Sequence, residues 1–301
     1  MESFFTLLDY QDLLQISGED SEKFLQGQLT CDLENLPPWQ CQLGAACNTK
    51  GRVYSSFRLL RTDNAFYLAM QSGVGEITRN TLNKYIPFYK AEMADANLHY
   101  KRFGLVGQQA QEAIEKCVSS LPAPNQALEI NGDILVNLSG EIPRFEIWLT
   151  QEQGPLADVC SELNEEDISA WQALDLEKGI LIINQEDVEQ YTPEELNMDL
   201  ASFVSWDKGC YTGQEIVARM HYRGKAGKRL YKVSFKHAGK INETMLKNTS
   251  GNTLGKLFNI LYLKDNIIES MAVLKTNIDL EEPAYLTAED GQISVSVTPL
   301  F

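Results

Sequence analysis

The sequence predicts an α+β fold that ends in a small β-barrel. Up to about residue 228, strand-like runs alternate with amphipathic helical runs. Beyond it only short β-like runs recur, at residues 230–235, 253–257, 270–274 and 293–297. Between the two regimes lies Gly224-Lys225-Ala226-Gly227-Lys228, which is small, basic and turn-rich. The expected division is therefore an α+β domain over residues 1–228 and a barrel domain over 229–301. With 301 residues, 44% of them hydrophobic and 23% charged, the chain can bury two such cores.

The elements follow in order. The first fifteen residues alternate loosely and predict a strand pair or strand–turn. Phe24, Leu25 and Gln28 recur at helical spacing, so a helix is expected over 22–29, capped by Asp20 or Ser21. Residues 53–60 and 65–70 predict strands joined by a turn at Arg61-Thr62-Asp63-Asn64, and 75–85 a helix. Pro122 and Pro124 mark a loop. A helix is expected over 167–178, closed by Gly179, and a short buried strand over 180–183.

Composition narrows the function classes. No apolar run approaches the roughly 18–20 residues of a membrane span. The start, Met1-Glu2-Ser3-Phe4-Phe5, has no basic segment, and the first lysine is Lys23, so a secretory signal is not expected and the chain reads as cytoplasmic. The cysteines, Cys31, Cys41, Cys47, Cys117, Cys160 and Cys210, form no Cys-x-x-Cys pair and no zinc-type spacing with histidine. Reduced, mostly buried thiols and no metal site are expected, with Cys210 set apart below. Net charge is −16, which opposes contact with a phosphate backbone. The charge is segregated: residues 180–206 hold six acids and no base, while 208–229 hold six bases and one acid, Glu215.

The most informative segment is Lys208-Gly209-Cys210-Tyr211-Thr212-Gly213-Gln214-Glu215-Ile216-Val217-Ala218-Arg219. Thr212 and Glu215 have the spacing of a capping box, which predicts a helix start near Thr212. Gly209 and Gly213 allow bending and close approach. Cys210 then precedes a helix N-terminus and lies two residues from Lys208, both of which favour thiolate. The competing reading is a capped helix with an incidental cysteine packed at its start.

This segment resembles the K-G-C-Y-x-G-Q-E signature of the YgfZ-like tRNA-modifying, folate-binding proteins, relatives of the glycine-cleavage T-protein. Three further segments agree with that family: the run from Gly18 through Phe24-Leu25-Gln26-Gly27-Gln28 to Thr30 and Asp32, the turn Lys50-Gly51-Arg52, and Trp171-Gln172-Ala173-Leu174-Asp175-Leu176-Glu177-Lys178-Gly179. The stretch from about 90 to 165 contributes no motif, and the C-terminal part matches weakly. The resemblance implies an aminomethyltransferase-like fold: two antiparallel-sheet subdomains with helices, plus the barrel, in a ring around a central channel that binds tetrahydrofolate or a one-carbon form of it. It implies that Glu177 grips the pterin edge, that Trp171 walls the ring, and that Tyr211, Gln214, Glu215, Arg219 and Arg223 also line the site. Glu177 also reads as an exposed helix glutamate, and Trp171 as ordinary core. At the family's first-strand aromatic this chain has Gln11, with Tyr10 beside it, which leaves the second wall of the pterin pocket open.

The resemblance further implies a monomer that supports iron–sulfur proteins, tRNA-modifying enzymes among them, with Cys210 and Lys208 as the reactive pair. The role of Cys210 stays open between nucleophile, redox thiol and transient ligand for iron. The aminomethyltransferase carries an Asp-Asp pair after a glycine turn; here Ser55-Ser56 stand in that register and supply no carboxylate. Glycine cleavage is therefore the runner-up, beside a folate-binding scaffold without catalysis. A Cys–His hydrolase using His99, His221 or His237 lacks a nucleophile-elbow pattern.

Overall fold

A computed structural model describes residues 2–138, 140–224, 226–241, 243–288 and 291–301. Lys225, in the expected linker, lies outside the described residues, as does the side chain of Arg223. The chain divides into two compact units. The first comprises Met1–Ile168, Ile182–Gln190 and Phe203–Gln214; the second comprises Ser169–Leu181, Tyr191–Ser202 and Glu215–Phe301.

In chain order the elements are β1 (Phe4–Leu7), β2 (Gln11–Ser17), α1 (Ser21–Gln26), β3 (Gln40–Cys47), β4 (Val53–Arg61), β5 (Ala65–Gln71) and α2 (Val74–Leu82). After β6 (Glu92–Asp95) come β7 (Lys101–Val106), α3 (Gln108–Glu115), β8 (Ala127–Ile130), β9 (Asp133–Leu138), β10 (Arg144–Leu149), α4 (Pro155–Val159) and β11 (Asn164–Glu165). Helices α5 (Ile168–Leu176) and α6 (Gln214–Arg223) precede β12 (Lys228–Lys236), β13 (Met245–Asn248), β14 (Thr253–Tyr262), β15 (Ile267–Lys275), β16 (Ala284–Ala288) and β17 (Gly291–Pro299).

The first unit holds two sheets. One runs β3-β4-β5-β2-β6 and packs Phe24 and Leu25 of α1 with Val74 and Leu82 of α2 against Tyr54, Phe57 and Leu59. The other runs β11-β1-β7-β10-β9-β8, with α3 and α4 supplying Ala113, Ile114, Leu156 and Val159 to its core. Pairing is antiparallel throughout except for the two-residue parallel contact of β1 with β11. In the second unit the strands close into a barrel in the order β12-β15-β14-β13-β16-β17. Its interior is apolar, with Val233, Leu246, Leu274 and Leu286 fully enclosed. This is the predicted architecture of two sheet subdomains and a C-terminal barrel.

Local differences have local causes. The first two strands form but do not pair with each other: β1 joins the six-stranded sheet and β2 the five-stranded one. Asp20 stands at the cap of α1, yet its carboxylate accepts the Lys90 backbone N–H instead of a helix donor. Helix α2 ends at Leu82, short of Tyr85, and a 3₁₀ turn with Pro87 at its start follows. The start of α2 is capped from a distance, because Asp12 Oδ2 accepts the N–H of both Gly73 and Gly75. Residues 180–183 are not a strand. Leu181 and Ile183 are buried, but the Ile183 N–H donates to Ser56 Oγ, so it takes no place in a ladder. Gly179 does close the preceding helix, with φ 64° and the paired bonds Gly179 N–H to Leu176 O and Ile180 N–H to Asp175 O.

Cys31, Cys41 and Cys47 are buried in the first unit, and desolvation raises their thiol pKa values from an ordinary 9.0 to about 12, 11 and 12. A pKa raised on folding adds stability that is complete below the unfolded value and is lost as pH climbs through the folded one. Unfolding free energy should therefore fall between about pH 9 and pH 12. Denaturant titrations at stepped pH check this. Cys47→Ala should flatten the slope, and a slope unchanged by that substitution would refute the assignment.

Candidate functional site

The signature segment is held by its lysine. Lys208 Nζ donates to the carbonyls of Gln26, Leu29 and Cys31 at 2.9, 2.7 and 2.7 Å. These carbonyls lie at and just beyond the end of α1, where backbone acceptors lack helix partners. Burial pushes the ammonium pKa down to about 8, against the upward pull of Cys31, Asp32 and Glu34. Lys208 Nζ also sits 5.2 Å from the centroid of the buried Tyr211 ring. Lys208 is thus a structural tether whose hydrogen bonds run to backbone.

The same contacts join three of the motif segments. The Thr212 N–H donates to Gly27 O at 3.1 Å, and Thr212 Oγ1 lies 3.1 Å from Gln28 Oε1. Thr30 Oγ1 donates to Phe203 O at 2.6 Å, and Ser205 N–H donates back to Thr30 O. Gly213 adopts φ 84°, and a Cβ there would run into the Asn48 carbonyl, at the head of the Lys50-Gly51-Arg52 turn. That turn is itself fixed by Asn48 Oδ1, which accepts the N–H of Lys50 and of Arg52.

The expected capping box does not form. Helix α6 begins at Gln214, Thr212 is taken by Gln28, and the Gln214 side chain accepts the Tyr211 N–H at 3.3 Å. Cys210 stands exposed on this frame, while the other five cysteines are buried or half-buried. Ser55 and Ser56 are fully buried, with Ser56 Oγ spent on Ile183 and Ser55 Oγ against Met70 Sδ.

The second unit carries the remaining predicted residues. Trp171 is 1% exposed within α5. Glu177 follows that helix with a side chain 58% exposed, ion-paired to Lys232, whose ammonium also pairs with Glu269 at 2.8 Å. Glu215 and Arg219 are exposed on α6, and the Arg223 backbone closes that helix. The structure therefore gathers Lys208, Tyr211 and Gln214 around one loop in the first unit, whereas Trp171, Glu177, Glu215 and Arg219 belong to the second.

The first unit also has a cleft that the motifs did not flag, of about 480 Å³, lined by Leu8, Gln11, Asn97, Tyr100 and Arg102 among others. Gln11 does not face it idly: its Oε1 and backbone O accept from the buried Arg102 guanidinium at 3.1 and 2.9 Å. Arg102 lies 5.8 Å from the Trp148 ring, and Tyr67, Tyr100 and Trp148 form a set of edge and tilted contacts. This is an aromatic and cationic wall beside Gln11. The only sequence trace of it is the run His99-Tyr100-Lys101-Arg102 inside the motif-poor stretch.

Two sheet subdomains and a closed barrel define the class, and comparisons with known proteins agree. The chain superposes on the glycine cleavage system aminomethyltransferase T of Bartonella henselae with TM-score 0.80 and 17% identity, covering all of this chain and 86% of that one, so the aminomethyltransferase fold is shown. Residues 6–131 match the GCVT N-terminal domain family. The chain is 30% identical over 302 residues to the tRNA-modifying protein YgfZ of Klebsiella pneumoniae (strain 342), spanning 97% of this chain and 91% of that protein. It is 32% identical over 233 residues to that of Colwellia psychrerythraea (strain 34H / ATCC BAA-681), spanning 76% and 71%. The chain belongs to the YgfZ family.

Lys208→Met keeps the stem but removes the three charge-assisted bonds. It should cost about 2–3 kcal/mol of unfolding free energy at pH 7, where the ammonium is still protonated. Urea titration checks this, and a loss below about 0.5 kcal/mol would show that water replaces the ammonium without penalty.

Proposed function

We propose that the chain is a cytoplasmic, tetrahydrofolate-binding protein that supports iron–sulfur proteins, and through them tRNA modification, with Cys210 as its reactive group. The observation that carries the reading is the exposed Cys210 thiol on a loop locked by Lys208, in a family fold whose Ser55-Ser56 pair is sealed and carries no carboxylate. That combination favours a thiol-dependent role over aminomethyl transfer.

For the folate, Glu177 is the proposed grip on the pterin N–H edge, with Trp171 setting the helix that presents it. The bidentate contact must displace Lys232 from Glu177, and Glu269 remains to receive that ammonium. Arg219 and Arg223 are proposed partners for the folate carboxylates.

Isothermal titration with tetrahydrofolate and its 5,10-methylene and 5-formyl forms tests the site. Glu177→Ala should weaken binding by roughly ten- to a hundredfold while leaving the unfolding temperature near the parent's, since an exposed ion pair contributes little to stability. Parent-like affinity in Glu177→Ala would move the site elsewhere.

For the thiol, alkylation at neutral pH should label Cys210 faster than the other cysteines. Cys210→Ala should fold and bind folate yet fail to restore iron–sulfur enzyme activity in cells that lack the protein. Slow labelling together with full rescue would leave Cys210 as a packing residue.

A further inference from the structure

The second unit holds a cluster that the folate reading does not use. Glu194, Asp199 and His221 each place a ligand-capable atom within 4.8 Å of the others. The residues come from two places in the chain. Glu194 and Asp199 sit in a turn-rich segment folded by the bonds Asn197 N–H to Glu194 O and Met198 N–H to Pro193 O. His221 is an exposed residue of α6.

The cluster is braced from the first barrel strand. Arg229 donates to Asp199 Oδ1 at 2.6 Å and to the Glu194 backbone carbonyl at 3.0 Å. The buried Asn197 clamps Leu230 through both its backbone O and N–H. Such bracing fixes the Glu194–Asp199 turn before any ligand arrives.

An acidic cluster alone would mean little. Here Glu194 is 3% exposed and its Oε2 has no hydrogen-bond partner among the described residues. A buried carboxylate oxygen left unpaired is costly, and a second carboxylate alongside makes it more so.

We propose that Glu194, Asp199 and His221 bind a divalent transition-metal ion of the zinc, manganese or iron(II) type. One imidazole nitrogen and two carboxylates suit such ions, whereas calcium and magnesium favour all-oxygen sets. Arg229 occupies one oxygen of Asp199 and leaves the other for the metal. Three protein donors leave a coordination position for water. The ion would pin residues 194–199 to α6, both within the second unit. The absence of cysteine among the donors separates this site from any role of Cys210.

The test is a Co²⁺ titration of the full chain carrying Cys210→Ser, read by visible absorption, with Zn²⁺ competition. The expected result is one saturable equivalent, weakened at least about tenfold by Glu194→Gln and by His221→Gln and unchanged by His237→Gln. Excess Zn²⁺ should raise the unfolding temperature of the parent and not of the two site variants. Absence of saturable binding in the parent, or parent-like binding in the site variants, overturns the proposal. Should Glu194→Gln fail to fold, the exposed His221→Gln decides alone.

Discussion

One ammonium group organises the part of the molecule that the family signature marks. Lys208 Nζ gathers three carbonyls from the end of α1 and the loop behind it, and it faces Tyr211. Three charge-assisted bonds to backbone cannot be satisfied by a loop that slides, so the register of residues 208–214 against residues 26–31 is set. Thr212, Thr30 and Ser205 then complete a web whose every bond joins the N-terminal motif to the signature or its approach. The exposure of Cys210 follows from that web: its neighbours on both sides are spoken for, and the thiol is left outside.

The same web separates positioning from chemistry. A lysine two residues from a cysteine suggests a reactive pair, but the hydrogen bonds of this lysine run to the backbone carbonyls of Gln26, Leu29 and Cys31. The pterin grip proposed for Glu177 has the opposite character. Its ion pair with Lys232 is half in water, where such pairs contribute about 0–1 kcal/mol, and Lys232 keeps Glu269 when Glu177 is withdrawn. Exchange of one donor for another at Glu177 is therefore cheap, whereas exchange at Lys208 is not.

The sequence reported the architecture well because its signals are periodic. The barrel strands, the strands β4 and β5, and the glycine-closed helix α5 each follow from alternation or from a left-handed cap. It failed where a distant group decides. Asp12 caps α2 across the sheet, Gln28 takes the hydroxyl that the capping box needed, and Ser56 takes the N–H that would have made 180–183 a strand. Of the site, the exposure of Cys210 was legible from its glycine-flanked context. The cleft residues Tyr100 and Arg102 were not, because they share no spacing with any motif and meet Gln11 only through the sheets. The Glu194–Asp199–His221 cluster was hidden for the same reason: its members lie in the acidic and basic runs that, read linearly, look like two solvated faces.

Within the second unit those two runs meet at a salt bridge. Arg229, at the end of the basic run, pairs with Asp199 of the acidic one, and Lys208, at its start, is spent on carbonyls. The bases that remained available for an anionic partner are thereby reduced, with Arg219 and Lys228 exposed among those described. Counterion release makes nucleic-acid affinity depend on how many such groups meet phosphates together. Net charge −16 opposes phosphate contact, and two members of the basic run, Lys208 and Arg229, are already bonded within the protein. The proposed link to tRNA modification through iron–sulfur enzymes asks nothing of that surface. As proposed, it asks only for an accessible thiol and a bound folate, and the signature loop leaves the Cys210 thiol exposed.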